Sequence, residues 1–341
     1  MAKASLITDL TNVFYLTGLK SSNAGVLQTK NKTYLITDGR YLEKAQKIKG
    51  ITALDIKNKE VWPQLIKKHR LDLIEYEGHS LKINSLSRWK KKFPRIKWQD
   101  NKQKIEKKRA QKSSTELRKI SASQRLNEQI FRTVKRSLKT GVTELEIAKK
   151  IQIETLTQNA EKSFDPIIAF GTHTSDPHHE PTKRKLKKGD LIMIDMGVTL
   201  NNYASDMTRM LFTNSPTSEQ EKIYNLVLQA QENAILALKP RKTGGQIDRI
   251  ARQTFQKNGH QKAFLHSLGH GLGLQVHEFP NLAPKSKILL KPGMVVTIEP
   301  GLYFPGKFGI RIEDLLVITP KGSRNLTKTP KVIKDCLLRK I

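Results

Sequence analysis

Five side chains able to ligate a divalent cation sit inside or beside apolar stretches of this chain: Asp195, Asp206, His270, Glu299 and Glu313. Asp195 interrupts the run LIMIDMGV that begins at Leu191, and such continuous apolar character reads as a strand buried on both faces. A lone ionised carboxylate there is costly, so it requires a cation or a set of hydrogen-bond donors. Asn201-Asn202 supplies a turn, because asparagine tolerates left-handed backbone, and the returning strand delivers Asp206. A hairpin of that length sets the two carboxylates side by side, where a divalent metal relieves their repulsion best. The alternative, from this stretch alone, is a pair of strand-end aspartates bonded to backbone amides. A second pair of acids lies in MVVTIEPGLYFPGKFGIRIEDLLVI, which reads as strand, turn-rich loop, strand. Glu299 follows the apolar residues 295–298, and Glu313 comes two residues after Arg311. Buried acids twice in one domain, each time in a hairpin, are hard to explain as coincidence.

The histidines fall in two segments. In HSLGHGLGLQVHEFP, His266, His270 and His277 accompany Gly269, Gly271 and Gly273, which remove side chains where backbone must approach something closely. A zinc-protease HExxH helix is excluded, since no glutamate follows His266 and the glycines disfavour a helix. A glycine-flanked histidine suits a ligand on a sharply shaped loop; a glycine-rich turn with incidental histidines is the alternative. His178 follows Pro177 in GTHTSDPHHEPTKRK, in an ordered turn or as a solvent-exposed loop residue without a role.

Four carboxylates and one imidazole neutralise two divalent ions. The set is rich in oxygen and carries no thiolate, which favours Mn, with Co, Fe or Zn as alternatives set by availability. Two such ions about 3.5–4 Å apart clamp a bridging hydroxide and polarise a carbonyl, the two-metal hydrolase arrangement. Phosphoryl chemistry on magnesium is disfavoured, because the chain has no phosphate-cradling GxxxxGK[ST] motif.

The elements that must position these groups are legible around them. Ser113-x-x-Glu116 and Thr143-x-x-Glu146 are capping-box patterns, predicting helices over residues 115–139 and from Thr143 onward. A strand over 164–170 precedes the His178 loop. Ser218-x-x-Glu221 predicts a helix ending near Pro240, and another spans 246–257 with Gly259 as its C-terminal signal. Residues 1–112 alternate strand-like pieces (24–29, 33–37, 51–56, 71–76, 96–98) with helical ones (41–48, 61–69, 81–92), a sheet flanked by helices. The expected architecture is α+β in two domains, a small α/β domain over 1–112 and a catalytic domain over 113–341. The first domain shows no catalytic constellation; Asp38, Arg40 and Tyr41 read as a surface turn.

Composition bounds the remainder. The formal charge of +31, from 62 Lys/Arg against 31 Asp/Glu, invites a nucleic-acid reading, yet it is spread along the chain and fits a lysine-rich proteome equally. Twelve Lys/Arg between Arg88 and Lys112, interspersed with Trp89, Phe93 and Trp98, could contact nucleic acid by charge and stacking. The alternative is a solvated face whose aromatics point into a core. No apolar run approaches a membrane span, the start lacks a long apolar stretch, and the single cysteine, Cys336, fits a reducing compartment. A cytoplasmic protein is the expectation.

Jointly, D-x10-D, GHGLG, TIEPG and RIED resemble the pita-bread metallopeptidase family, which includes aminopeptidase P, prolidase, methionine aminopeptidase and the metal-free creatinase. NVFYLTGLKSSNAG and TDGRY resemble the creatinase-type N-terminal domain. The resemblance implies Asp195, Asp206, His270, Glu299 and Glu313 as ligands of a dinuclear centre, with Glu299 also the base toward the attacking water. It implies that His178 stabilises the tetrahedral intermediate or assists amine release, that His266 and His277 hold substrate and move protons, and that Arg311 orients the ligands. The front domain disfavours methionine aminopeptidase, and the intact ligand set disfavours creatinase. What remains is an Xaa-Pro aminopeptidase or dipeptidase acting on proline-containing peptides, as a homodimer. Met210 departs from the threonine common at that place. The competing class is a basic, non-catalytic protein of the same fold binding nucleic acid, weakly and without specificity.

Overall fold

The computed structural model describes residues 2–338, and the chain divides into two compact units between Arg109 and Ala110. The first unit is built on a mixed sheet of six strands, β1 (Ala2–Ile7), β2 (Ala24–Thr29), β3 (Thr33–Thr37), β4 (Ile51–Asp55), β5 (Leu71–Tyr76) and β6 (Lys97–Asp100), in the order β4-β3-β2-β1-β5-β6. Helices α1 (Leu10–Thr17), α2 (Gly39–Gln46), α3 (Val61–His69), α4 (Ile83–Lys92) and α5 (Lys104–Ala110) connect or follow them. Asp38 caps α2 rather than forming a free turn: its carboxylate accepts from the Arg40 amide and guanidinium and from Asn23. The aromatics of the basic run point inward. Trp62, Trp89 and Trp98 stack in series, with ring centroids 4.9 and 5.5 Å apart, against the core under the sheet.

In the second unit one order of elements occurs twice. Helices α6 (Ser114–Lys135) and α7 (Glu144–Thr157) precede the strands β8 (Ile167–Phe170), β9 (Leu191–Met196) and β11 (Met207–Phe212), paired in the order β11-β9-β8. Short strands β7 (Glu161–Lys162) and β10 (Val198–Thr199) pair beside them. Helices α8 (Ser218–Ala237) and α9 (Gly244–Lys257) then precede β12 (Gly269–Gly271), β13 (Glu278–Leu282), β14 (Val295–Ile298), β17 (Asp314–Ile318) and β18 (Ser323–Asn325), in the order β13-β12-β14-β17-β18. Between β14 and β17 the chain makes a further hairpin, β15 (Gly301–Phe304) and β16 (Phe308–Arg311).

All four long helices of this unit begin with reciprocal capping boxes, Ser113/Glu116, Thr143/Glu146, Thr217/Gln220 and Thr243/Gln246. The third starts one residue ahead of the Ser218-x-x-Glu221 pattern, because a glutamine amide returns the bond to the cap as well as a carboxylate does. Helix α6 stops at Lys135, short of 139, and Gly141 at φ +91° takes the left-handed turn into α7. Strand β8 starts at Ile167 rather than Phe164, after Pro166, whose nitrogen cannot join a ladder. The central strands of both sheets lie inside the unit: every residue of β9, β11, β14 and β17 is buried, the polar Asp195, Thr208, Arg209, Thr297 and Asp314 included.

Thr143 receives the Glu146 amide at 3.2 Å while its own N–H and hydroxyl reach the Glu146 carboxylate at 2.7 Å. Replacing Thr143 by alanine is expected to cost about 1 kcal/mol, read as a lowered denaturant midpoint with an unchanged slope.

Candidate metal centre

The register of the two hairpins determines which carboxylates meet. Asp195 lies opposite Thr208, and Met196 opposite Met207. The next step of that ladder sets Gly197 against Asp206, so Asp195 and Asp206 are diagonal neighbours on one face. Asn201 (φ +52°) and Asn202 (φ +71°) close the connection as a two-residue turn bonded both ways between Leu200 and Tyr203. Gly197 is obligatory here, since a Cβ would overlap the Ser205 carbonyl and the Phe164 ring. In the other hairpin Ile298 pairs with Asp314, and continuing the ladder sets Glu299 directly opposite Glu313. His270 comes from β12, with its amide on the Thr297 hydroxyl. Added side chains at Gly269 or Gly271 would strike the Thr297 and Phe279 carbonyls.

One cavity is lined by all nine residues expected at the site: His178, Asp195, Asp206, His266, His270, His277, Glu299, Arg311 and Glu313. Ligand atoms of Asp206, His270 and Glu313 all lie within 4.8 Å of one another. The His270 Nε2 is 3.3 Å from Glu299 Oε1 and 3.6 Å from Asp206 Oδ2. The His270 Nδ1 bonds the Gly271 carbonyl at 3.1 Å, which fixes the ring with Nε2 toward the carboxylates. Asp195 stands apart, held through Oδ2 by the Arg311 guanidinium at 2.6 Å.

The residues fit a divalent cation. Asp195 Oδ1 and Asp206 Oδ1 are buried with no hydrogen-bond partner among the described residues, an arrangement that is costly unless a cation supplies the missing contact. Burial, reinforced by the charges of Glu313, Asp195 and Glu299, pushes the Asp206 carboxyl well above its ordinary range. Burial and the charges of Glu299 and Asp195 do the same to Glu313, and burial raises Asp195 despite Arg311. Glu299 goes the other way: burial opposes its charge, but the hydrogen bond and charge of His270 prevail and hold it down at about 2. His270 is raised, its burial outweighed by Glu299, whereas burial lowers His266 and His277 and keeps them neutral.

Several residues that hold the ligands carried no obvious mark in the sequence. Thr208 donates to Glu313 Oε2 at 2.8 Å and accepts from Arg311 Nε at 3.1 Å. Thr297 donates to Glu299 Oε1 at 3.1 Å. Each threonine is two positions from an acid along its strand and so shares its face, the one signal available to sequence reasoning. Tyr303 links Arg311 Nη1 (2.7 Å) to His266 Nε2 (3.0 Å), while His266 Nδ1 faces the Ser267 carbonyl. From α6, Gln124 accepts the Asp206 amide, and Asn127 and Ser123 donate to the Met196 and Val198 carbonyls. The buried Glu144 closes the loop that carries His178, accepting the Phe170 and Thr182 amides, the Thr182 hydroxyl, and His173 and His179 at 2.9 Å each.

Comparison with known proteins agrees with this geometry. The model of metallopeptidase family M24 matches residues 118–320, and that of the creatinase/prolidase N-terminal domain matches residues 2–111. The chain belongs to metallopeptidase family M24. It is 33% identical to the "uncharacterized peptidase YqhT" of Bacillus subtilis over 330 residues, 96% of this chain and 94% of that protein. Among solved structures it is similar to an Xaa-Pro dipeptidase from Bacillus anthracis, with a TM-score of 0.94, 30% identity and coverage of 99% and 95% of the two chains. It is similar also to an X-Pro aminopeptidase from Thermotoga maritima, with a TM-score of 0.90, 30% identity and coverage of 99% and 98%. The family is one of hydrolases that use divalent metal, and the two-domain organisation of the M24 chain is the expected one. Met210, the departure noted above, is fully buried in the β9–β11 layer, opposite Met193 and away from the ligands in sequence register.

The raised carboxyls fix the sign of a pH effect. Asp206, Glu313 and Asp195 retain protons in the folded, metal-free chain that they lose in the unfolded one above about pH 4. Their stabilisation is therefore present at low pH and is lost as pH rises through their folded values. Metal takes the place of those protons, so Mn should raise the melting temperature more at about pH 8 than at about pH 5.5, with proton release in calorimetry. An equal or larger rise at the lower pH contradicts this site.

Proposed function

We propose that this chain is a two-metal Xaa-Pro peptidase, cytoplasmic, homodimeric and loaded with Mn, that hydrolyses the peptide bond before proline. The observation that carries the reading is the convergence of Asp195, Asp206, His270, Glu299 and Glu313 on one cavity, with two buried aspartate oxygens left without partners. Membership of M24 and the similarity to an Xaa-Pro dipeptidase and an X-Pro aminopeptidase support the choice of bond. The bond before proline is a tertiary amide without an N–H, so a site for it needs no acceptor for that group and instead a wall for the ring. Pro166, Ile167, Pro177 and Val276 give the cavity apolar lining suited to a pyrrolidine.

Asp195, Asp206, His270, Glu299 and Glu313 would hold the two cations, which when bound supply Lewis acidity toward the scissile carbonyl and an activated water. The chain's own groups do the rest. Glu299, ionised and oriented by the Thr297 hydroxyl, accepts the proton of the attacking water. Arg311 holds Asp195 and, through Thr208, shares the support of Glu313. The run Arg311 N–H to Tyr303 O–H to His266 Nε2 fixes a neutral imidazole at the cavity wall. His178 and His277, both exposed on the same cavity, face the substrate and are placed to donate toward the developing oxyanion and the departing amine.

Purified protein incubated with Mn is expected to cleave proline-containing peptides, and a chelator to abolish the cleavage reversibly. Asp206→Ala and His270→Ala should each lower kcat/KM by about a thousandfold or more, equivalent to about 4 kcal/mol of transition-state stabilisation, with loss of bound metal by elemental analysis. Normal turnover by Asp206→Ala excludes the assigned centre.

A further inference from the structure

A bond before proline occurs both in a dipeptide and at the start of a longer peptide, and the two differ in where the C-terminal carboxylate falls. In a dipeptide it sits one residue past the scissile bond, inside the cavity; each further residue carries it about 3.3–3.6 Å outward. A site that takes dipeptides needs a cation or a free set of donors to hold that carboxylate. The cavity, about 580 Å³, is lined by six carboxylates, those of Asp165, Glu180, Asp195, Asp206, Glu299 and Glu313, against one guanidinium; its five imidazoles include His270 among the ligands and His178 and His277, which the reading above assigns to the oxyanion and the amine, and no lysine is among its lining residues in the described chain. That guanidinium, Arg311, is committed: Nε to Thr208, Nη1 to Tyr303 and the Pro177 carbonyl, Nη2 to Asp195. At the rim Lys162 is ion-paired with Asp165. Two divalent ions offset four of the six acids; of the two exposed ones Asp165 is paired with Lys162, and Glu180 remains.

Building on the Xaa-Pro peptidase reading above, we propose that this site selects peptides of three or more residues and discriminates against free dipeptides, because its walls offer a dipeptide's carboxylate no free lysine or guanidinium. Asn281 is the residue that sets the selection. It lines the cavity, is exposed, and lies opposite His270 in the β12–β13 ladder, so an uncharged amide occupies a place from which a basic side chain would reach the carboxylate.

The test measures kcat/KM of the Mn-loaded full chain for alanyl-proline, its C-terminal amide and alanyl-prolyl-alanine. The amide differs from the dipeptide only in charge, so it and the tripeptide should exceed the free dipeptide by about tenfold or more. Asn281→Arg should narrow that gap by lowering KM for the free dipeptide alone. The same order of affinity is expected in calorimetric titrations of the Glu299→Gln chain. Cleavage of the free dipeptide as efficiently as its amide overturns this inference and leaves the peptidase reading standing. A gap that Asn281→Arg leaves unchanged overturns the assignment to missing charge. If none of the three peptides is cleaved, it is the Xaa-Pro reading itself that fails.

Discussion

The second unit is organised around a repulsion. Asp195, Asp206, Glu299 and Glu313 are brought to one cavity by two hairpins whose strands are buried along their whole length. No arrangement of neutral neighbours makes four ionised carboxylates comfortable at low dielectric. The chain relieves the charge only in part. One guanidinium takes Asp195 and two threonine hydroxyls take Glu313 and Glu299, while the carboxyls of Asp206 and Glu313 hold protons in place of cations. The fold thus maintains a deficit of positive charge that protons relieve in the metal-free chain and that a tightly localised divalent cation would relieve in their place.

Maintaining that deficit demands rigidity, and the surrounding bonds are arranged to provide it. Arg311 is the common member: through Thr208 it touches the support of Glu313, through Nη2 it holds Asp195, and through Tyr303 it reaches His266. From the opposite side, three side chains of one helix, Ser123, Gln124 and Asn127, grip the backbone of the aspartate hairpin at Val198, Asp206 and Met196. These spacings place them on one face of α6, so a single capped helix positions the hairpin. Glu144 does the corresponding work for the loop of His178, binding amides at both ends of it. A ligand displaced by an ångström loses its bond to metal, so this second layer of contacts is as necessary as the ligands.

The centre was legible in the sequence because buried acids in apolar strands are rare, and because two pairs with glycine-flanked histidine leave few chemistries open. Capping boxes gave helix starts to within a residue, and Asn201-Asn202 gave the turn. What the sequence concealed were the parts with weak periodicity. Strand β1 (AKASLI) and helix α1 (LTNVFYLT) mix small, polar and apolar residues in short spans, and neither pattern stands out. Thr208, Thr297 and Tyr303 escaped because a threonine in a strand is ordinary and a tyrosine in a hairpin is ordinary; only their distance from the acids gives them meaning. The recurrence of helix pair followed by antiparallel sheet in the second unit was equally hidden, since the two halves place different acids on their strands.

A chain with a formal charge of +31 nevertheless encloses a cluster of carboxyl and imidazole groups able to hold a cation, and the two facts are reconciled by distance. Exposed lysines act through water and salt, and beyond a Debye length of about 8–10 Å their fields are largely screened. The carboxylates of the candidate centre would act on a bound ion at contact, in a cavity lined by six carboxyl groups and one guanidinium. Contact with the ligand atoms therefore governs the binding of an ion regardless of the chain's total, and the basic surface acts on long-range encounter instead. Because only nearby charge counts, the balance of carboxylate and cation around the cavity, rather than the composition of the whole, decides which peptides the site accepts.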